Sequence, residues 1–161
     1  MTPSSRMAGS LHDRRVRFLE SLAGLLGCTG QVPYLPDGRR PDVLAIDTRR
    51  RLLFVGEGKD SETPNCRATQ ARLQRYLQWI AAHLRHGSAT AVCAVCFGRE
   101  GDARTWLDVL AMLAREVQVT FVQEGFARFE PGLLVVYAVA CTPPPLPLAR
   151  PSRELERLSS L

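Results

Sequence analysis

Apolar residues along the chain switch between a helical and an extended period several times. In LHDRRVRFLESLAGLLG, residues 11–27, Val16, Leu19, Leu22, Ala23 and Leu26 recur at helical spacing, and Gly27 reads as the stop. A short extended piece, GQVPYLP, follows. PDVLAID and RLLFVGEGK are rich in β-formers and are joined by TRR, which predicts a hairpin. Pro41 suits the first position of a strand, and Arg40 before it is biased toward extended backbone.

Residues 65–86 predict a long helix with Thr69, Leu73, Tyr76, Leu77, Ile80 and Leu84 on one face. ATAVCAVCF is apolar throughout, which predicts a strand buried on both faces. GDARTWLDVLAMLAREV predicts a third helix, with Trp106, Leu110, Leu113 and Val117 inward. VQVTFVQ and GLLVVYAVA predict two more strands. The ending CTPPPLPLARPSRELERLSSL opens Pro-rich and reads as a tail or strap, its last residues compatible with a short helix. The predicted order is α-β-β-β-α-β-α-β-β: an α/β chain whose mixed sheet lies between helices. Residues 1–10 read as a flexible tail, 11–141 as one domain and 142–161 as a Pro-rich tail. No internal repeat is visible.

Composition changes little in this picture. With 161 residues, 45% of them apolar, the chain can bury a proper core as one domain. No run has the length of a membrane span and no stretch is of signal-peptide type, so the expectation is a cytoplasmic protein without a membrane partner. The five cysteines read as reduced, mostly buried thiols. Cys93 and Cys96 form a CxxC on a strand, where an odd separation sends the side chains to opposite faces, and no second ligand pair completes a zinc site. The net charge of +5 points to a polyanionic partner, with arginine-rich genome composition as the bland alternative. One feature of the charge is sharper. Of 21 Lys+Arg positions, only Lys59 is a lysine.

That lysine closes the hairpin beside an acid. On a strand Glu57 and Lys59 share a face, and a loop centred on Arg49–Arg50 sets Asp42 opposite Glu57. Gly56 and Gly58 bracket Glu57, as expected where a ligand or another backbone comes close. Two neighbouring carboxylates suit Mg²⁺ or Mn²⁺, which can stabilise charge on a phosphodiester and acidify a bound water. A lysine can orient or deprotonate that water, whereas arginine cannot act as a base. The rival Pro36-Asp37 is followed by Gly38, which is turn chemistry, so Asp42 is preferred. Asp47 and Asp60 read as turn or surface acids. GEGKD lacks the first glycine and the hydroxyl residue of a phosphate-binding P-loop. His12, His83 and His86 lack metal-ligand context, and no nucleophile elbow is present. Arg39, Arg40, Arg49, Arg50 and Arg51 flank the hairpin, and Arg67, Arg72 and Arg75 lie along the next helix. They read as phosphate contacts, with a solvated face as the alternative. No zinc finger or separate reader domain is visible, which argues against strict sequence specificity.

Pro41-Asp42, then Glu57, Gly58 and Lys59 on a hairpin between helices, resembles the PD-(D/E)XK, or restriction-endonuclease-like, nuclease superfamily. The resemblance covers residues 11–97 and implies an α-β-β-β-α-β core. It implies a Mg²⁺-dependent nuclease with Asp42 and Glu57 as ligands and Lys59 as the group that orients water or stabilises charge. DNA is favoured over RNA as substrate, in repair, recombination, mobile-element or phage-defence roles. Many members add an acid from the first helix, and Glu20 is the matching residue, with a solvated boundary glutamate as the alternative. Some RecB-like members carry Q-x-x-x-Y on the following helix. Here Tyr76 has no Gln four residues before it, while Gln70 and Gln74 either point to the site as accessory groups or form a plain polar face. The resemblance also implies a homodimer or a partner subunit. The competing reading is a catalytically silent module of the same fold that binds nucleic acid or protein.

Overall fold

The computed structural model describes residues 10–32, 40–59, 64–85 and 87–142. The expectations for the two tails, and for Asp37, Arg39, Asp60 and His86, lie outside those residues. The first helix, α1 (Leu11–Leu25), is capped by Ser10, whose hydroxyl accepts the Asp13 N–H at 3.0 Å. It ends as the sequence predicts. Gly27 takes φ +88° and the Cys28 N–H returns to the Ala23 carbonyl at 2.8 Å, a left-handed closure that favours glycine.

Among the described residues six strands follow in one mixed sheet: β1 (Gly30–Gln31), β2 (Val43–Asp47), β3 (Leu52–Gly58), β4 (Ala89–Phe97), β5 (Phe121–Glu130) and β6 (Leu133–Thr142). Their spatial order is β1-β2-β3-β4-β6-β5. Only β3 and β4 run parallel, and α2 (Arg67–Leu84) makes the crossover between them. A short 3₁₀ turn, Glu100–Asp102, leads into α3 (Ala103–Glu116). The order of helices and strands is the one the apolar pattern predicts.

Alternation along the two central strands builds two cores. Leu53 and Val55 of β3, and Ala91, Cys93 and Val95 of β4, face α2 and α3, packing with Leu73, Leu77, Ile80, Trp106 and Leu110. Phe54, Val92, Ala94 and Cys96 face the other way, against Leu19, Leu22 and Ala23 of α1. Cys93 and Cys96 therefore belong to opposite cores, and burial pushes both thiols up to about 12. Leu77 is wholly inaccessible, so truncating it to Ala should cost about 2–5 kcal/mol. Among the described residues no helix is long and apolar enough to cross a membrane.

One strand is displaced from its expected place. VQVTFVQ spans the end of a helix, not a whole strand. Val117 caps α3, Gln118 takes a left-handed φ of 61°, and the Val119 N–H bonds the Ala114 carbonyl at 2.9 Å. Strand β5 starts at Phe121 and runs on through the polar QEGFARFE to Glu130. As an edge strand it fully buries only Ala127, while Phe121, Val122, Phe126 and Phe129 pack only partly buried among polar residues, so no continuous apolar run marks it.

Candidate active site

The hairpin brings the two acids together by register. Leu44 pairs with Val55 and Val43 with Gly56, so the next step outward sets Asp42 beside Glu57. Asp42 lies one residue before β2, Glu57 within β3, and Lys59 one residue beyond it. The Lys59 N–H still donates to the Cys96 carbonyl at 2.8 Å, which carries the ladder to its last rung. The acids fix each other through the backbone. The Asp42 N–H donates to Glu57 Oε1 at 3.1 Å, and the Gly58 N–H donates to Asp42 Oδ2 at 2.8 Å. Gly58 needs no side chain here, since a Cβ would sit 3.3 Å from the Cβ of Arg15 and 3.7 Å from Asp42 Oδ2.

The second oxygen of each carboxylate meets a side chain. Glu57 Oε2 lies 3.2 Å from Arg72 Nη1 and 3.5 Å from Lys59 Nζ. Asp42 Oδ1 lies 3.4 Å from His12 Nε2. Glu57 and Lys59 are only 4% and 5% exposed, whereas the Arg72 side chain is 42% exposed. Burial, and then the charge of Asp42, hold the Glu57 carboxyl above its ordinary range, with Lys59 and Arg72 pulling the other way. Tyr76 completes the wall. Its hydroxyl donates to the Arg40 carbonyl at 3.4 Å, and burial followed by the Glu57 charge pushes its phenol up. Arg40, Asp42, Glu57, Arg72, Arg75 and Tyr76 line an open cleft of about 390 Å³.

The donor set fits Mg²⁺ or Mn²⁺. One oxygen of each acid is held by a fixed N–H, while the other contacts side chains, some of which can swing away. A cation held by these acids would also offset the Asp42 charge, which after burial is the second cause of the raised Glu57 carboxyl. Among the described residues no group of three or more His, Cys, Asp or Glu side chains forms a ready-made metal site. Mg²⁺ does not require one, because it commonly takes one or two carboxylates and fills its shell with water and substrate phosphate.

Other expected residues are distributed differently. Glu20 is exposed on α1 and shares a second groove with Asp42, but not the cleft that holds Glu57. Gln74 donates to Glu116 of α3 at 2.7 Å and Gln70 to the Pro64 carbonyl at 3.2 Å, so neither lines the cleft. Among the arginines, Arg40, Arg72 and Arg75 reach it. Arg49, Arg50 and Arg51 lie at the closed end of the hairpin, about 20 Å away along β3 at roughly 3.3 Å per residue. A hairpin's turn is necessarily remote from its open end, so these arginines do not form one cluster with Arg40. Arg50 also has structural bonds, to Asp47 Oδ2 at 2.6 Å and to the Leu26 carbonyl. Arg51 exchanges bonds with His83: its guanidinium reaches the His83 carbonyl at 3.4 Å, and His83 Nε2 lies 3.0 Å from the Arg51 carbonyl.

The sequence pattern does not single out Arg15, sets His12 aside for lack of metal-ligand context, and places Tyr76 on the apolar face of its helix without the Gln of a Q-x-x-x-Y motif. The signal was present: His12, Arg15, Val16 and Leu19 follow helical spacing, and the first two extend the inward stripe of α1 with polar residues. Comparison with protein-family models, curated proteins and solved structures gives no match for the chain.

Proposed function

We propose that the chain is a metal-dependent nuclease with a restriction-endonuclease-like core, hydrolysing phosphodiester bonds in DNA in preference to RNA. The observation that carries this reading is the cross-strand lock of Asp42 and Glu57 in the wall of an arginine-lined cleft, with the buried Lys59 Nζ 3.5 Å from Glu57 Oε2 although Lys59 itself does not line that cleft. The α-β-β-β-α-β order from Leu11 to Phe97, with an antiparallel β2–β3 hairpin and β4 parallel to β3, supports the fold assignment. Asp42 and Glu57 would hold Mg²⁺ or Mn²⁺, which when bound supplies Lewis-acid stabilisation of phosphodiester charge. Lys59 orients the attacking water or neutralises charge that develops on the phosphate. Arg40, Arg72 and Arg75 bind substrate phosphates, and burial of Glu57 and Lys59 fixes both side chains before substrate arrives.

A second reading rests on one observation. Glu57 Oε2 already contacts two cations, so the site is close to charge balance without a metal. This is what a silent module that binds nucleic acid or protein would also show. Labelled linear, nicked, branched and single-stranded DNA, incubated with Mg²⁺ or with chelator, separates the two. Metal-dependent cleavage that disappears in Glu57→Ala supports the nuclease. Binding without cleavage of any substrate in Mg²⁺ or Mn²⁺ would refute it.

A further inference from the structure

Arg15 is a buried cation, only 4% exposed, and it reaches the site from beneath. Its Nη1 donates to the Lys59 carbonyl at 2.6 Å, and its Nε donates to the Gly132 carbonyl at 3.1 Å. Neither carbonyl belongs to a strand: β3 stops at Gly58, and Gly132 lies in the two-residue turn between β5 and β6. The buried Lys59 carbonyl and the part-buried Gly132 carbonyl both need donors, and here one planar fork supplies them.

Glycines make room for that fork. A Cβ on Gly98 would lie 2.5 Å from Arg15 Nη2, and one on Gly58 would lie 3.3 Å from the Arg15 Cβ. Gly132, whose carbonyl Arg15 holds, takes φ +82° in its turn. Two strand ends, at Gly58 and Gly98, are thus shaped around a single side chain. The residue it grips is the one whose ammonium must meet Glu57 Oε2.

We propose that Arg15 is a positioning residue for the site. By holding the Lys59 carbonyl against the β5–β6 turn, it fixes the backbone from which the Lys59 ammonium is aimed at Glu57. This rests on the nuclease reading for its catalytic consequence, but not for its structural content. Lys59 is the only lysine in the chain, so [¹⁵N]lysine labelling gives a single backbone amide resonance to follow.

The test uses the full chain with Arg15→Met, Arg15→Gln and Gly98→Ala. The last keeps the guanidinium but crowds it out of place, and carries the test if Arg15→Met fails to fold. In each folded variant the Lys59 amide should shift and exchange at least about tenfold faster, the loss of one charge-assisted bond beside it. Single-turnover cleavage should fall about 10²-fold, as for a catalytic group displaced by roughly an ångström. KM should stay within about threefold, since the phosphate-binding arginines are untouched. Guanidinium added at low millimolar concentration should restore part of the rate in Arg15→Met but none in Gly98→Ala. An unchanged Lys59 amide in folded variants, or cleavage within about twofold of wild type, overturns the proposal. If wild-type protein cleaves no DNA, the nuclease reading fails, and the Lys59 amide alone decides for or against the positioning role.

Discussion

Lys59 separates a catalytic ammonium from a merely structural one, because two substitutions affect different parts of its role. Lys59→Met removes the charge and leaves Glu57 buried. At an effective dielectric of about 20, a 3.5 Å pair has about 5 kcal/mol of gross attraction, much of it offset by desolvation. Breaking a buried pair by deleting one partner costs about 3–5 kcal/mol. Here the low end applies, because Arg72 still touches the same oxygen. For a chain of 161 residues each kcal/mol moves Tm by about 2–4 °C, so Lys59→Met should melt about 6–12 °C lower. Lys59→Arg keeps the charge but adds bulk to an enclosed site, so it should cost about 1–3 kcal/mol, no more than Lys59→Met.

Activity should divide otherwise. A guanidinium cannot lose its proton and cannot approach Glu57 as a compact point charge. Lys59→Arg should therefore lose at least about 10²-fold in single-turnover cleavage, the low end for a positioned proton-transfer group. Its DNA affinity, titrated in Ca²⁺, should hardly change. The measurements are thermal melts, single-turnover rates in Mg²⁺ and the binding titration. Cleavage by Lys59→Arg at the wild-type rate would refute the reasoning, since the ammonium would then serve only as a charge.

Glu57 carries a pH signature. Its carboxyl is raised above its ordinary 4.5 by burial and then by Asp42, so its proton is held more tightly in the folded state. The stability this gives is fully present below about pH 4.5 and is lost as pH rises through the raised folded value. Relative to wild type, Glu57→Gln should therefore gain stability on going from pH 4.5 to neutrality. Urea midpoints at several pH values check this, and a pH-independent difference would contradict it. Replacing Arg72 and Arg75 together with Ala should lower the log–log salt slope of duplex binding by about 0.9 per lost contact, read by titration at several salt concentrations. Arg50→Ala should cost about 1–2 kcal/mol by freeing Asp47 and the Leu26 carbonyl, seen as a lower urea midpoint. Its salt slope should match wild type, and a lower one would return the hairpin turn to the binding surface.

Much of the fold and the heart of the site are legible in the sequence, for a shared physical reason. Strand alternation and hairpin register are local rules. They place Asp42 beside Glu57 and send Cys93 and Cys96 to opposite cores without long-range information. What the sequence hides is set by packing between elements. Edge strand β5 has little buried face to display. Gln74 turns to α3 because Glu116 is there, which no spacing along α2 reveals. Arg15 reads as one more surface arginine until the carbonyls of Lys59 and Gly132, 44 and 117 residues away, are set around it. Polar residues on the inward stripe of α1 were the available sign. A charge at such a position runs against the ordinary expectation, because burial of a charge is normally expensive.

The uneven use of basic residues then has a geometric account. Arginine serves where one side chain must reach several acceptors in fixed directions. Arg50 spans Asp47 and the Leu26 carbonyl, and Arg15 spans two backbone carbonyls from separate turns. Arg72 reaches Glu57 from a solvent-exposed helix face, where a long fork can leave the carboxylate for a phosphate at little cost. None of these positions needs a proton to be gained or lost. At Lys59 the head group is enclosed, and it lies 3.5 Å from Glu57 Oε2. A base composition that favours arginine would replace a lysine wherever the exchange is harmless. Under the proposed chemistry an ammonium that can orient or deprotonate a water has a use at this one position and a guanidinium has not, which gives the lone lysine beside Glu57 a reason.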